Sequence, residues 1–170
     1  MSRSVLAVLV MAGCAPAPPP PSAPLPSLGR AAAFSAPDDR GDLTRVPRAA
    51  ARATVVELWA TACEPCRKAL PAFAAEAPRL EADGIAWVLV GVLEGGEPIQ
   101  RARDALLSWG VGREFLVDRG GGVQRAFGLD ALPAIVILDR AGVVRWVAPP
   151  GAPPAVVAAA ARWIAAGHQG

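Results

Sequence analysis

Two cysteines, Cys63 and Cys66, lie three positions apart in the stretch ELWATACEPCRKALP at residues 57–71. A thiol pair at this spacing has three possible uses: a dithiol that exchanges disulfides, half of a metal site, or a structural cross-link. The segment before the pair is apolar and β-branched, which is typical of a buried strand, and helix-forming residues follow it. Cys63 is therefore predicted to lie where a strand ends and a helix begins.

The rest of the chain predicts alternating strands and helices around this point. A proline at position 71 is expected to kink the first helix without ending it. The last two strands are separated only by a short turn, which predicts an antiparallel hairpin. The pattern as a whole predicts an α/β fold with a mixed sheet. Strands are predicted at residues 54–60, 85–93, 115–117, 134–139 and 143–148, and helices at residues 64–82, 97–109, 123–127 and 155–166.

The first residues have the pattern of an export signal. Arg3 precedes an apolar stretch at residues 5–11, which is far shorter than the ~20 residues of a membrane-spanning helix. The sequence Met-Ala-Gly-Cys at 11–14 is similar to a bacterial lipobox, in which the cysteine is lipidated and becomes the mature N-terminus. We expect a lipoprotein signal at residues 1–13 and lipidation of Cys14, with a plainly cleaved signal as the alternative.

A proline-rich segment follows the predicted lipidation site. Seven prolines between residues 15 and 28 predict an extended, semi-rigid tether over residues 14–29. The folded domain is then expected to occupy residues 30–170. Ala15, rather than Asp, follows the cysteine, which favours the outer membrane slightly over the inner membrane.

The cysteine motif and two later segments together carry a family resemblance. The WATACEPCRK sequence at 59–68 resembles the thioredoxin superfamily, and within it the exported TlpA- and ResA-like proteins. The segment FGLDALPA at 127–134 and the turn LDRAG at 138–142 match the same pattern. The resemblance covers residues 54 to about 166 and implies a thioredoxin-like domain: a central mixed sheet, with parallel strands and a C-terminal antiparallel hairpin, flanked by helices.

The resemblance implies a role for four residues in catalysis. Cys63 would be the nucleophile, since the positive end of a helix dipole lowers a thiol pKa and thiolate is the attacking species. Cys66, one helical turn later, would resolve the mixed disulfide. Glu57 matches a buried acid that takes the proton from Cys66, with a solvated strand face as the alternative. Pro133 matches the family's cis-proline.

Further positions are assigned to contacts with the client protein. Glu64 and Pro65 lie between the cysteines, where side chains tune the reduction potential. A negative charge at Glu64 would oppose the helix dipole if it pointed inward, and would have little effect if it pointed to water. Leu132, before the proline, would contribute to partner choice, and Trp59 should approach the site.

Two positions depart from the family pattern. Ala62 replaces the tryptophan that usually precedes the first cysteine, which removes an aromatic wall beside the site. Ala69 stands where ResA-like proteins that act on cytochrome c carry a glutamate. The resemblance therefore does not extend to a particular client.

Two other classes of function compete with disulfide exchange. A structural zinc site needs four ligands, and beside Cys63 and Cys66 only His168 remains; copper-delivery relatives use a wider cysteine spacing. A tethered, non-catalytic interaction domain would use the disulfide as a cross-link, although so short a loop gains little stability from closure. Peroxidase relatives use a different cysteine motif.

The sequence thus predicts an exported, membrane-tethered thiol–disulfide oxidoreductase, with the reductase direction favoured. The dithiol is the redox carrier, so we expect no cofactor and no metal. Its partners would be client proteins with disulfides or thiols, a membrane electron donor, and the membrane through the lipid anchor. The net charge of +2 gives no reason to expect nucleic acid binding. We expect a monomer that faces the bacterial periplasm.

Overall fold

The computed structural model describes residue 18 and residues 20–168. The predicted signal at residues 1–13 and the predicted lipidation site Cys14 lie outside the described residues. The elements follow one another along the chain as β1 (Phe34–Pro37), β2 (Leu43–Val46), β3 (Ala53–Trp59), α1 (Glu64–Ala82), β4 (Ile85–Leu93), α2 (Ile99–Ser108), β5 (Leu116–Arg119), α3 (Gly122–Phe127), β6 (Ala134–Asp139), β7 (Val144–Val147) and α4 (Pro154–Ala165).

A five-stranded sheet in the order β5-β4-β3-β6-β7 forms the centre of the molecule. Strand β3 lies in the middle, and all seven of its residues are buried. It pairs in parallel with β4 and antiparallel with β6, while β6 and β7 form an antiparallel hairpin. The prediction of an α/β fold with a mixed sheet is confirmed. Because β3 is central and leads directly to Cys63, the cysteine motif begins just beyond the C-terminal end of the central, fully buried strand.

The two faces of the sheet pack against different elements. Alternate residues of β3 (Val55 and Trp59) face a core that includes apolar side chains of α1, α2 and α4. The residues between them (Val56 and Leu58) face the β1–β2 hairpin and Phe127 of α3. This alternation follows from the two-residue period of a strand, so a residue's position in β3 decides which core it enters.

Most predicted element boundaries agree with the structure to within two residues. Helix α1 continues through Pro71 and Pro78 as one helix. The β1–β2 hairpin is absent from the sequence prediction. Its strands are four residues long and half-exposed, with Leu43 76% exposed, so they lack the apolar alternation that predicts a strand.

Residues 20–30, which include part of the predicted tether, lie along the outer edge of β7. The N–H of Ala23 donates to the carbonyl of Val147 (3.0 Å), and the N–H of Gly29 donates to the carbonyl of Val144 (2.8 Å). The N–H of Val147 also donates to the hydroxyl of Ser22 (2.8 Å). The segment therefore runs antiparallel to β7 and covers the edge of the sheet. The domain boundary at residue 30 stays a prediction.

Over residue 18 and residues 20–168, no helix combines the length and the apolar character that crossing a bilayer requires.

Candidate active site

The two cysteines form a disulfide at the start of α1. Cys63 is the N-cap residue of the helix, and its sulfur accepts the backbone N–H of Cys66 at 3.1 Å. The Cα atoms are 5.2 Å apart. Cys63 is half-buried, whereas Cys66 is 0% exposed. Of the two cysteines, therefore, only Cys63 can react with a second molecule. Cys66 can react only with the sulfur of Cys63 beside it.

The charged residues beside Cys63 point to water and pair with one another. Arg67 holds the carboxylate of Glu64 at both oxygens, at 2.8 and 2.6 Å, and the ammonium of Lys68 lies 3.6 Å away. The hydrogen bond from Arg67 is the main cause that lowers the pKa of Glu64 to about 2. Of the two orientations considered for Glu64 in the sequence, the outward one is observed. Its charge is largely compensated by the two basic neighbours.

Glu57 lies on the opposite, interior side of the site. It is 0% exposed, so the alternative of a solvated strand face is wrong. The indole N–H of Trp87 donates to one carboxyl oxygen (2.9 Å), and the other oxygen is buried and has no hydrogen-bond partner among the described residues. Burial raises the pKa of Glu57 to about 8, although the hydrogen bond from Trp87 acts in the opposite direction. A buried carboxyl with this pKa can take up or release a proton near neutral pH.

An apolar groove of about 660 Å³ opens beside the disulfide. Pro65 forms its end at the cysteine motif, and Leu132 and Pro133 form part of its wall. The Leu132–Pro133 peptide bond is cis, as the resemblance implied. Two of the residues predicted to contact a client, Pro65 and Leu132, thus line the same groove as the catalytic candidate Pro133, although Pro65 and Leu132 are 67 positions apart in the sequence.

The structure corrects the prediction for Trp59. Its side chain is 0% exposed and packs edge-to-face against Trp109 and Phe115, with ring centroids 5.6 and 5.4 Å apart. A client cannot contact a fully buried ring, so Trp59 supports the end of β3 from inside. Its apolar setting in the strand already indicated a core position.

Two residues that support the site were missed in the sequence. Trp87, on β4, is the hydrogen-bond partner of Glu57. Glu97 accepts a hydrogen bond from the hydroxyl of Thr61 at 2.6 Å and so anchors the turn that precedes Cys63. Both contacts join residues 30 or more positions apart in the sequence. The pairing of β3 with β4 brings Glu57 to Trp87, and Thr61 and Glu97 lie in the segments that follow these two strands.

The positions that depart from the family pattern lie at the surface. Ala62 is exposed beside Cys63, and Ala69 lines the groove one helical turn from Pro65. A small side chain at each position leaves the disulfide more open. Among the described residues, no three His, Cys, Asp or Glu side chains group closely enough to hold a metal ion.

Comparisons with known proteins agree with this geometry. Residues 28–147 match the model of the AhpC/TSA family. No curated protein sequence is significantly similar to the chain. Among solved structures, dsbF of MTB is 20% identical with a TM-score of 0.66, over 77% of this chain and 94% of that one.

Two further solved structures resemble this chain with similar identity and TM-score. StoA from Bacillus subtilis is 18% identical with a TM-score of 0.65, over 78% of this chain and 97% of that one. A thiol:disulfide interchange protein from Chlorobium tepidum is 20% identical with a TM-score of 0.64, over 88% of this chain and 98% of that one. The predicted thioredoxin-like fold is confirmed.

Proposed function

This chain belongs to the AhpC/TSA family and is a thioredoxin-like oxidoreductase, and we propose that it exchanges disulfides with exported client proteins as a membrane-tethered reductase. The observation that carries the proposal is the unequal exposure of its two cysteines. Cys63 is half-buried at the start of α1, and Cys66 is 0% exposed behind it. A structural cross-link has no need of one accessible sulfur at a helix N-terminus, where thiolate is stabilised.

The reaction is a transfer of two electrons from the dithiol to a client disulfide. The Cys63 thiolate attacks one client sulfur, which forms a mixed disulfide and releases the first client thiol. Cys66, deprotonated, then attacks the sulfur of Cys63. This step releases the second client thiol and leaves the Cys63–Cys66 disulfide. An electron donor must afterwards return two electrons to the pair.

The second step needs a base that lies away from solvent. Cys66 is 0% exposed, so water is not at hand to take its proton. Glu57 lies on the face of β3 that also carries Val55 and Trp59, both of which belong to the core that contains Cys66. With a pKa raised to about 8 by burial, Glu57 is matched to proton transfer near neutral pH. We assign it the role of proton acceptor from Cys66.

The client is held in the groove next to the disulfide. Of the described residues that line the groove, only Asp130 carries a charge. The backbone at Leu132 precedes the cis bond at the groove wall, where an extended client segment can pair with it. An extended segment with apolar residues beside its cysteine therefore fits this surface.

Export and tethering rest on the first residues of the chain. The short apolar stretch at residues 5–11 and the lipobox-like sequence that ends at Cys14 support them. A disulfide-exchange enzyme with exported clients also suits an oxidising compartment, where disulfides persist. Three of the similar solved structures are described as a thiol–disulfide oxidoreductase, a thiol:disulfide interchange protein and a secreted disulfide oxidoreductase, respectively.

The reduction potential of the Cys63–Cys66 pair tests the direction of electron flow. We expect the full chain, equilibrated in defined thiol buffers, to show a value near roughly −270 mV, as a reductase requires. A value near roughly −120 mV would make it an oxidant and overturn the reductase direction. A pair that does not equilibrate with the buffers at all would overturn disulfide exchange itself.

A further inference from the structure

The segment before the folded domain is docked beside the groove instead of hanging free. Ser22 and Ala23 hydrogen-bond to Val147 of β7, and the indole N–H of Trp146 donates to the carbonyl of Pro20 at 3.0 Å. Ala23, Pro24 and Leu25 form part of the groove wall. Pro20 is three residues from Ala23, so it lies within about 10 Å of the groove.

This docking shortens the connection between the groove and the lipidation site. Six residue steps separate Cys14 from Pro20, so their Cα atoms are at most about 21 Å apart. A free tether over residues 14–29 would span up to about 50 Å by the same measure. The docked contacts remove most of that length. Together, the two distances place the groove within about 30 Å of a lipid attached at Cys14.

We propose that the groove faces the membrane at close range and that its partner is a membrane-anchored protein whose disulfide lies within about 30 Å of the bilayer. The inference rests on the proposed disulfide exchange and on lipidation of Cys14. A soluble client would diffuse to any orientation of the domain, and a long tether would serve it better. A docked, short connection instead holds the groove at a high effective concentration of groups at the membrane surface.

The chemistry of the groove agrees with such a partner. Its described lining is apolar apart from Asp130 and includes prolines from both the docked segment and the loop before α4 (Pro24, Pro149, Pro150 and Pro153). An apolar segment next to a membrane-spanning helix would match this lining.

The test uses the lipidated full chain in phospholipid vesicles with defined disulfide peptides. One peptide is acylated and holds its disulfide at the membrane surface; a second carries the same disulfide on a polyproline spacer of about 22 residues, about 70 Å away. A third has no acyl group. The matched variant contains 20 Gly/Ser residues inserted between positions 17 and 18. Each protein is first reduced, the reductant is removed, and the rate of a single two-electron exchange is measured.

We expect the native chain to reduce the near peptide at least about tenfold faster than the far one, because its connection cannot reach 70 Å. The insertion adds about 25 Å to the root-mean-square length of the connection and more than that to its fully extended length. The ratio of the rates on the near and far peptides should therefore fall to about threefold or less. Both proteins should reduce the soluble peptide at the same rate. Equal rates on near and far peptides with the native chain would overturn the inference.

The outcomes separate this inference from the proposed function. If neither protein reduces the soluble peptide, disulfide exchange is wrong and the inference falls with it. If the soluble peptide is reduced but mass spectrometry finds no acyl group on Cys14, exchange stands and the membrane-facing groove is overturned. If the insertion leaves the near-to-far ratio unchanged, the docked connection does not set the orientation, and the inference is overturned as well.

Discussion

The two sides of the disulfide carry the same type of side chain in opposite states. On the interior side, Glu57 is 0% exposed, and burial raises its pKa to about 8. On the outer side, Glu64 is exposed, and its pair with Arg67 lowers its pKa to about 2. The two glutamates are seven positions apart in the sequence. Their surroundings, and not their residue type, decide which of them can carry a proton near neutral pH.

The cysteines repeat the same contrast. Cys63, on the outer side, is half-buried and meets the client, and Cys66, on the inner side, is 0% exposed and meets only Cys63. The outer residues, Cys63 and Glu64, should therefore govern the attack on the client disulfide. The inner residues, Cys66 and Glu57, should govern the resolution of the mixed disulfide. Substitutions on the inner side should affect the second step of exchange, and substitutions on the outer side should affect the first.

The largest effects are expected from the cysteines themselves. Cys63→Ser removes the only accessible sulfur of the pair and should abolish exchange with a disulfide peptide. Cys66→Ser leaves the attacking thiol and should trap the mixed disulfide, because the resolving sulfur is missing. Non-reducing gels and mass spectrometry measure both products. Equal, undiminished activity in both variants would contradict the assignment of the site.

A substitution of Glu57 should produce the next largest effect. Glu57→Gln keeps the size of the side chain and removes the group that takes the proton, so resolution should slow by about 100-fold at pH 7, the lower range for a general base. The formation of the mixed disulfide should change by less than about threefold. Rapid-quench kinetics of the two steps, measured across pH, distinguish this from a general loss of structure. A mixed disulfide that forms and resolves at wild-type rates would rule out the role.

The same variant gives a test through stability. The pKa of Glu57 is higher in the folded chain than the ordinary value of 4.5, so the folded state holds the proton more tightly than the unfolded state. Its contribution is fully present below pH 4.5 and is lost as the pH rises to about 8. Relative to Glu57→Gln, the free energy of unfolding of the wild type should therefore fall by about 1.4 kcal/mol per pH unit in this window.

Denaturant unfolding at several pH values measures this slope. Trp87→Phe is the companion variant, since it removes the hydrogen bond that the indole N–H donates to the carboxyl group of Glu57. That bond lowers the pKa, so its loss should raise the pKa of Glu57 and move the end of the window to higher pH. Parallel curves for wild type and Glu57→Gln between pH 5 and 8 would contradict a buried, protonated glutamate.

More of the outer side of the site than of the inner side could be predicted from the sequence. The position of Cys63 follows from a β-branched segment that meets helix formers, and both are local signals. The sequence left the orientation of Glu64 open, although the basic residue three positions later, with which it pairs in the structure, is also a local feature of the helix. Local sequence therefore predicts the elements and the position of Cys63 at the start of a helix, and the family resemblance adds its role as nucleophile.

The inner side depends on contacts between distant segments. An acid in an apolar strand is equally compatible with burial and with a solvated face, and the choice depends on what covers β3. The contact of Glu57 with Trp87 requires the pairing of β3 with β4, and the docking of residues 20–29 requires an open edge at β7. The prolines of that segment predict an extended chain, but an extended chain can be either free or docked, so they do not distinguish the two.

The smallest effect is expected at Glu64, on the outer side. Glu64→Gln removes a charge that Arg67 and Lys68 already compensate, so the rate at which Cys63 reacts with an alkylating reagent should rise by about threefold or less. The rise should shrink in 1 M salt, where the Debye length is about 3 Å. Glu114→Gln is the matched control, since Glu114 is similarly exposed and also pairs with an arginine, but lies away from the cysteines. A tenfold change for Glu64→Gln, or an equal change in the control, would contradict the view that the outer glutamate acts only as a screened surface charge.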